Sequence, residues 1–217
     1  MRISALALAV TAAFLSLAPA ASAQQSCGAL GGTPDVTGIC RMHEVGAGYE
    51  RTAAFPVDYP DQQAVADFLA QDRDGFVGWV EQFGRGRVYE ETVTPTMYRS
   101  ARTQSLVLKI VDPTGLAHEG HPDIRYRTFT YGAGGPITID TLFGPGSDSA
   151  AILTPVVQHA LKARNAALIE PDRGSYRNFA ITDEAVTFFF GESQLVGNGG
   201  PLTVAVPVGE LGGRLQG

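Results

Sequence analysis

The order of helical and strand-like segments is the feature of this chain that most restricts its fold. Residues 62–83 carry apolar side chains at three- and four-residue spacing, as a helix with one buried face does, and Asp61 stands at the N-cap position. Strand-like runs precede this helix at residues 41–59 and follow it at 87–100 and 103–111. The first half of the chain therefore reads as strands, helix, strands.

The second half repeats this order with different lengths. A strand is predicted at residues 124–131, a helix at 149–168 after Asp148, and short strands beyond it. Those last strands lie at residues 179–181, 186–190 and 202–206. Helices and strands do not alternate regularly as in a parallel α/β sheet. We expect an α+β fold in which antiparallel sheets are covered by two main helices, with an N-terminal lobe at 49–113 and a C-terminal lobe at 114–217.

The N-terminus has the pattern of a secretory signal peptide at residues 1–23. Arg2 provides the positive charge, residues 5–17 the apolar region, and Ala21-Ser22-Ala23 a cleavage site of small residues. The apolar run is shorter than the roughly 20 residues that span a bilayer. We expect cleavage, secretion to the cell envelope or the extracellular space, and no membrane span in the mature chain.

Two cysteines, Cys27 and Cys40, follow the predicted leader. In an oxidising compartment such a pair forms a disulfide, which here would close the N-terminal segment 24–48. In the chain-entropy model a loop of this length is stabilised by about 3 kcal/mol. A zinc site at these cysteines is poorly supported, because His43 is the one further ligand nearby.

The charge balance restricts the partners. Without a leader that carries Arg2, the chain has 15 basic and 22 acidic residues, a net charge of −7. An acidic chain without a cluster of lysines and arginines is a poor nucleic-acid binder, because phosphate contacts dominate that affinity. The charge is compatible with a basic partner, and equally with solubility alone.

Two stretches carry a resemblance to a known family. These are residues 126–143 (YRTFTYGAGGPITIDTLF) and 178–190 (NFAITDEAVTFFF), accompanied by FLAQDRDGFVGWV at 68–80. The chain resembles the mycobacterial secreted immunogenic antigens and the extracellular domain of RsiV-type anti-sigma factors, over residues 49–211. The resemblance implies two α+β lobes packed through their sheets.

The resemblance also implies one of two roles. RsiV-type relatives sense lysozyme, so the partner would be a basic extracellular protein such as lysozyme or a cell-envelope component. Another relative is described as a secreted esterase.

Catalytic candidates follow from that second role. Ser193 lies in Gly191-Glu192-Ser193-Gln194-Leu195, which differs from the nucleophile motif G-x-S-x-G by a Leu at the second Gly. A Ser/His site of another kind needs a histidine brought close in the fold. Ser193 and His121 are the candidate catalytic pair, and whether the chain is an enzyme stays open.

The remaining polar candidates lie around the segment His118-Glu119-Gly120-His121. Its histidines are three residues apart, whereas the zincin motif needs a spacing of four on a helix, so we expect no metal site and no cofactor. His121 and Asp123 are candidate binding residues instead. Two carboxylate pairs, Asp112/Asp123 and Glu90/Glu91, resemble a glycosidase dyad in composition. Glu90 and Glu91 would face opposite sides of a strand.

The function that we expect is non-enzymatic binding of an extracellular protein or cell-envelope ligand, with ester hydrolysis as the alternative.

Overall fold

A computed structural model describes residues 26–114, 122–144, 146–162, 172–192, 194, 200–211 and 215. The predicted signal peptide, the end of the second predicted helix, and the candidates His118, Glu119, His121 and Ser193 lie outside the described residues.

The main sheet has seven strands that neighbour one another in chain order. They are β1 Thr33–Pro34, β2 Ile39–Gly46, β3 Tyr49–Pro56, β4 Tyr89–Arg99, β5 Thr103–Asp112, β6 Asp123–Gly132 and β7 Gly135–Ile137. Every neighbouring pair is antiparallel except β3 and β4, which are parallel. The short β7 pairs only with Thr130–Gly132, so the first part of β6 forms an edge of this sheet.

Helix α1, Gln62–Phe83, connects the two parallel strands. The Asp61 side chain accepts a hydrogen bond from the Ala64 N–H, which confirms the predicted N-cap. The helix buries Val65, Leu69, Phe76 and Val80. The first two pack against Phe55, Leu106, Leu108 and Ile110 of the sheet. Phe83, the last residue of the predicted apolar stripe, was expected on the same face but is 52% exposed. It occupies the last helical position, where its ring contacts Trp79.

The parallel pair departs from the expected purely antiparallel sheets. A helix that packs across the sheet returns the chain to the end from which β3 started, and β4 then runs in the same direction as β3. Apolar periodicity predicts an element but not its neighbour, so the direction of β4 was not visible in the sequence. The α+β class is confirmed, with a mixed sheet.

A second sheet contains three antiparallel strands in the order β10, β9, β8. These strands are β8 Phe179–Ile181, β9 Ala185–Phe190 and β10 Leu202–Pro207. Helix α2, Ser149–Lys162, buries Leu153, Val157 and Leu161 in a core that also contains Phe188 and Phe190. Leu142 and Phe143, at the end of the ITIDTLF segment, fill the same core, as expected for an apolar plug.

Three hydroxyl groups join the second sheet to the main one. The Ser105 Oγ accepts a hydrogen bond from the Ile181 N–H at 3.0 Å. The Thr128 Oγ1 accepts from the Phe179 N–H at 3.0 Å, and the Thr130 Oγ1 donates to the Phe179 carbonyl at 3.2 Å. Strand β8 is therefore held against β5 and β6 through side chains and does not extend their ladder.

The predicted disulfide is confirmed between Cys27 and Cys40, and both residues are fully buried. It fastens the N-terminal segment to β2 beside Met42 and Phe55. In the part of the chain that the structure describes, no helix is both long and apolar enough to cross a bilayer.

Candidate functional site

A cluster of five charged side chains lies between helix α1 and the sheet. Arg51 comes from β3, Asp72 from α1, Glu91 from β4, Asp112 from β5 and Arg125 from β6. The side chains of Glu91 and Asp112 are 0% exposed and that of Asp72 is 3% exposed, whereas Arg125 is 41% exposed. Arg125 therefore connects a buried ionic cluster to the protein surface.

Two guanidinium groups hold three carboxylates in this cluster. Arg51 donates from Nε to Glu91 Oε1 and from Nη2 to Asp72 Oδ2, the latter at 3.3 Å. Arg125 donates to Asp112 from both Nε and Nη2, and its Nη2 also reaches Asp72 Oδ1 at 3.3 Å. With every group ionised, the cluster carries one uncompensated negative charge in a largely dry environment.

Of the three carboxylates, Glu91 accepts the fewest hydrogen bonds from described residues. Its Oε2 is buried and accepts no hydrogen bond, and Arg125 Nη2 lies 3.9 Å away. Burial and the charge of Asp72 raise the pKa of Glu91 to about 7, although Arg51 acts in the opposite direction. A carboxyl with such a pKa exchanges its proton near neutral pH.

A cleft of about 490 Å³ opens beside this cluster, along the edge of β6. Its walls come from α1, β5, β6, the segment before β8 and the segment after β9. The lining residues are Phe68, Ile110, Asp123, Ile124, Arg125, Tyr126, Arg127, Arg177, Asn178, Gly191, Glu192 and Gln194.

The segment after β9 is held against β6 by backbone contacts. The Glu192 N–H donates to the Ile124 carbonyl at 2.8 Å, and the Gly191 N–H donates to Gln194 Oε1 at 2.9 Å. A Cβ atom at Gly191 would lie 2.9 Å from the Ile124 carbonyl oxygen. Glycine is required there because the two backbones approach so closely.

One side of the cleft is basic. The Arg127 guanidinium carbon lies 5.4 Å from the centroid of the Phe68 ring and 5.1 Å from that of Phe129. Burial and the charge of Arg177 lower the pKa of Arg127. Within the described residues, neither arginine has a carboxylate oxygen inside ion-pair distance. Asn178 is 6% exposed and lines the cleft next to Arg177.

The other side is acidic. Burial, with the charges of Asp112 and Glu192, raises the pKa of Asp123. Asp112 and Asp123 lie directly opposite each other on β5 and β6. Asp112 is fully buried and bound by Thr114 and Arg125, so only Asp123 of this predicted pair lines the cleft. Glu90 is exposed and Glu91 buried, which confirms that those two face opposite sides of their strand.

The candidate catalytic residues Ser193 and His121 lie outside the described residues, but their neighbours in sequence do not. Glu192 and Gln194, on either side of Ser193, line the cleft, and so does Asp123, two positions after His121. In the described ranges no hydrogen bond joins a histidine to a serine, and both described histidines, His43 and His159, are exposed. The same ranges contain no group of three potential metal ligands.

Sequence reasoning missed the charged cluster and the basic side of the cleft. One signal was present in β6, where Asp123, Arg125 and Arg127 recur at every second residue and therefore share one face. Three charged residues on a face that continues into Phe129 are unusual for a solvated strand. The partners Arg51, Asp72 and Glu91 gave no comparable signal.

Comparisons with known proteins agree with the resemblance. Residues 140–209 match the family model described as protein of unknown function (DUF3298). Esterase Rv3036c of Mycobacterium tuberculosis is 39% identical over 191 residues, which cover 82% of this chain and 83% of the relative. Immunogenic protein MPB64 of Mycobacterium bovis and immunogenic protein MPT64 of M. tuberculosis are each 32% identical over 195 residues, 83% of this chain and 84% of theirs. At these identities over more than four-fifths of its length, the chain belongs to the family of the mycobacterial immunogenic proteins MPB64 and MPT64 and esterase Rv3036c.

Proposed function

We propose that this chain is exported and that its mature form binds a cell-envelope or extracellular ligand in the cleft beside β6. The observation that carries the proposal is the state of the polar groups in that cleft. Arg127 and Arg177 are exposed and have no carboxylate partner among the described residues, and the largely buried Asn178 lines the cleft beside them. Positive charges without an acidic partner that converge on one cleft of an acidic chain support the binding of a ligand there.

The cleft is open to solvent and has the volume of a small-ligand site. Its volume of about 490 Å³ lies within the range of such sites, and Phe68, Ile110 and Ile124 line it together with the polar groups. Its walls are anchored on strands and on α1, which keeps the lining side chains in place. A basic protein such as lysozyme is the other partner, which the resemblance to RsiV-type proteins implies and with which the net charge is compatible. It would bind through the acidic surface as a whole.

A cleft-filling substitution tests this proposal. Glu192→Trp places an indole at the cleft wall, and Glu210→Trp, at an exposed position near the end of the described chain, is the matched control. Saturation-transfer NMR of soluble peptidoglycan and envelope-lipid headgroup fragments should show contacts with the wild-type protein and with Glu210→Trp, and none with Glu192→Trp.

Three outcomes bear on the proposal. Binding in the cleft would be refuted if the wild-type protein showed no saturation transfer to the envelope fragments. It would also be refuted if Glu192→Trp and Glu210→Trp showed equal saturation transfer. Salt-sensitive binding of lysozyme that Glu192→Trp leaves intact, measured by titration calorimetry, would replace the cleft with the protein surface as the functional site.

A second candidate is ester hydrolysis, which the printed name of the 39% identical relative favours. It is also favoured because Glu192, Gln194 and Asp123, the described neighbours of Ser193 and His121, line one cleft. Turnover of p-nitrophenyl acetate by the mature protein should then be lost in Ser193→Ala and in His121→Ala. Ser175→Ala and His159→Ala are controls elsewhere in the chain. Equal turnover in all five proteins would reject these residues as catalytic.

A further inference from the structure

The arginines of this protein differ in how their charge is balanced. Among the pairs that the described residues show, six arginines lie within 4 Å of a carboxylate: Arg41, Arg51, Arg73, Arg99, Arg125 and Arg173. In a chain with more acidic than basic residues, such pairing is expected. Arg85, Arg87, Arg127 and Arg177 are exposed and have no such partner within the described residues. Of these four, Arg127 and Arg177 line the cleft.

The acidic group nearest in sequence does not neutralise Arg177. Hydrogen bonds from Ser175 are the main reason that the pKa of Asp172 is lowered, and the charge of Arg177 adds a smaller contribution. However, the Asp172 Oδ1 accepts hydrogen bonds from the N–H and the Oγ of Ser175, at 2.8 and 2.9 Å. That carboxylate acts as a cap of the 3₁₀ helix Arg173–Tyr176 and is not a partner for the guanidinium groups in the cleft.

Two guanidinium groups that repel each other gain from an anion placed between them. Arg127 is held over Phe68 and Phe129, a contact typical of cation–π pairs, and therefore loses little freedom when it binds a ligand. Its planar fork of N–H donors matches the oxygens of a carboxylate or phosphate. Asn178 adds a side-chain amide at the cleft, and its backbone is fixed by the Phe189 N–H, which donates to the Asn178 carbonyl at 2.9 Å.

We infer that Arg127, Arg177 and the amide of Asn178 form a binding site for an oxyanion, a phosphate or a carboxylate, on the ligand of the cleft. This inference rests on the proposed function. It names the chemistry of one end of the ligand.

The opposite side of the cleft limits the rest of that ligand. Asp123 and Glu192 line it, and their charges repel each other. A polyanion that extended from the arginines towards these carboxylates would be repelled, whereas a neutral or cationic group would be accepted. The ligand therefore carries its oxyanion at one end, beside the apolar surface of Phe68, and no second anion at the other.

The test measures binding of inorganic phosphate and of acetate to the mature protein by ¹H–¹⁵N NMR. The side-chain signals of Arg127, Arg177 and Asn178 are observed directly. We expect saturable shifts of these three signals. Arg177→Gln, and the double variant Arg127→Gln/Arg177→Gln, should weaken binding about ten-fold or more, because each lost charged hydrogen bond is worth about 1.5–3 kcal/mol.

Arg85→Gln is the matched control. It removes the same charge from an exposed residue that lies about 25 Å beyond Phe68 along the α1 axis. Its affinity for phosphate should stay that of the wild type. An equal loss in Arg85→Gln, or shifts that do not saturate, would show general screening and overturn the inference. Thermal unfolding of every variant separates loss of binding from loss of folding.

Sedimentation with lipid vesicles distinguishes a lipid headgroup from a free anion as the source of the oxyanion. Sedimentation with phosphatidylglycerol vesicles but not with phosphatidylcholine vesicles, abolished in Arg177→Gln, would identify a lipid headgroup; binding of soluble phosphate or acetate alone would identify a free anion. Binding of none of these probes would overturn the oxyanion site. If envelope fragments bind the cleft in the Glu192→Trp experiment while Arg127→Gln/Arg177→Gln binds them unchanged, the proposed function stands and this inference fails.

Discussion

Replacing Glu91 by Gln should make the protein more stable at pH 8, and by a much smaller margin at pH 5. Gln keeps the size of the side chain and an oxygen for Arg51 Nε, but it cannot ionise. Burial beside Asp72 raises the pKa of Glu91 from 4.5 to about 7, so the folded protein favours the neutral form of this carboxyl. After the substitution, the side chain at this position is neutral at every pH.

The size of this stability effect follows from the difference between the pKa of Glu91 in the folded state and its pKa in the unfolded state. A pKa that rises from 4.5 to about 7 on folding corresponds to about 3 kcal/mol of free energy. Between these values the folded state retains a proton that the unfolded state has lost. The Glu91 contribution therefore lowers the free energy of unfolding as pH rises from about 4.5, and the full loss is present above pH 7.

Urea denaturation at pH 5, 6, 7 and 8 measures this effect, with fluorescence of Trp79, the single tryptophan, as the signal. Groups outside the charged cluster contribute equally to wild type and variant, so the difference between the two reports the ionisation of Glu91 together with its cluster. That difference should grow from about 1 kcal/mol at pH 5 towards about 3 kcal/mol in favour of Glu91→Gln at pH 8.

Glu90→Gln is the control for this experiment. It makes the same chemical change one residue away, on the exposed face of β4. Its free energy of unfolding should follow that of the wild type at every pH. A difference between Glu91→Gln and wild type that stays constant from pH 5 to pH 8 would refute the assignment of a raised pKa to Glu91.

Four further predictions concern the same structure. Replacing both Cys27 and Cys40 by Ser should lower the free energy of unfolding by about 3 kcal/mol, and adding reductant to that variant should have no further effect in urea denaturation. Phe188→Ala removes a fully buried ring that packs against Tyr176 and Phe179, and should cost about 3–5 kcal/mol by the same assay. Arg51→Met should destabilise the protein by about 3–5 kcal/mol at pH 8 and by less at pH 5, because Glu91 is then protonated; an equal loss at both values would contradict this. Intact mass of the protein secreted by a Sec-competent host should correspond to a chain that begins at Gln24, whereas a retained leader would contradict export with cleavage.

Features of the fold that depend on local pattern were predictable from the sequence. Helix α1 combines an apolar stripe with a capping Asp61, and both signals lie within one segment. The Cys27–Cys40 bridge follows from two cysteines and an oxidising compartment. The parallel pairing of β3 with β4 was not predictable in this way, because it depends on where a helix of 22 residues delivers the chain.

The site was harder to predict because its parts come from distant positions. Arg51 and Arg125 are brought to one carboxylate, Asp72, from β3 and β6. Each of these residues, taken singly, resembles a solvent-exposed charge on an amphipathic element. Only the register of the sheet reveals that Glu91 faces inward beside them. The cleft likewise forms where β6 meets the segments that flank β8 and β9, a contact that no local pattern encodes.

The hydroxyl bonds of Ser105, Thr128 and Thr130 to β8 have a consequence for how the molecule opens. A backbone ladder couples neighbouring strands along their whole length, whereas these three contacts end at the side chains of β5 and β6. Cooperative units in native proteins follow such boundaries. Amide protons of β9 and β10 should therefore exchange with solvent in one sub-global event, at a lower free energy than those of β4 and β5.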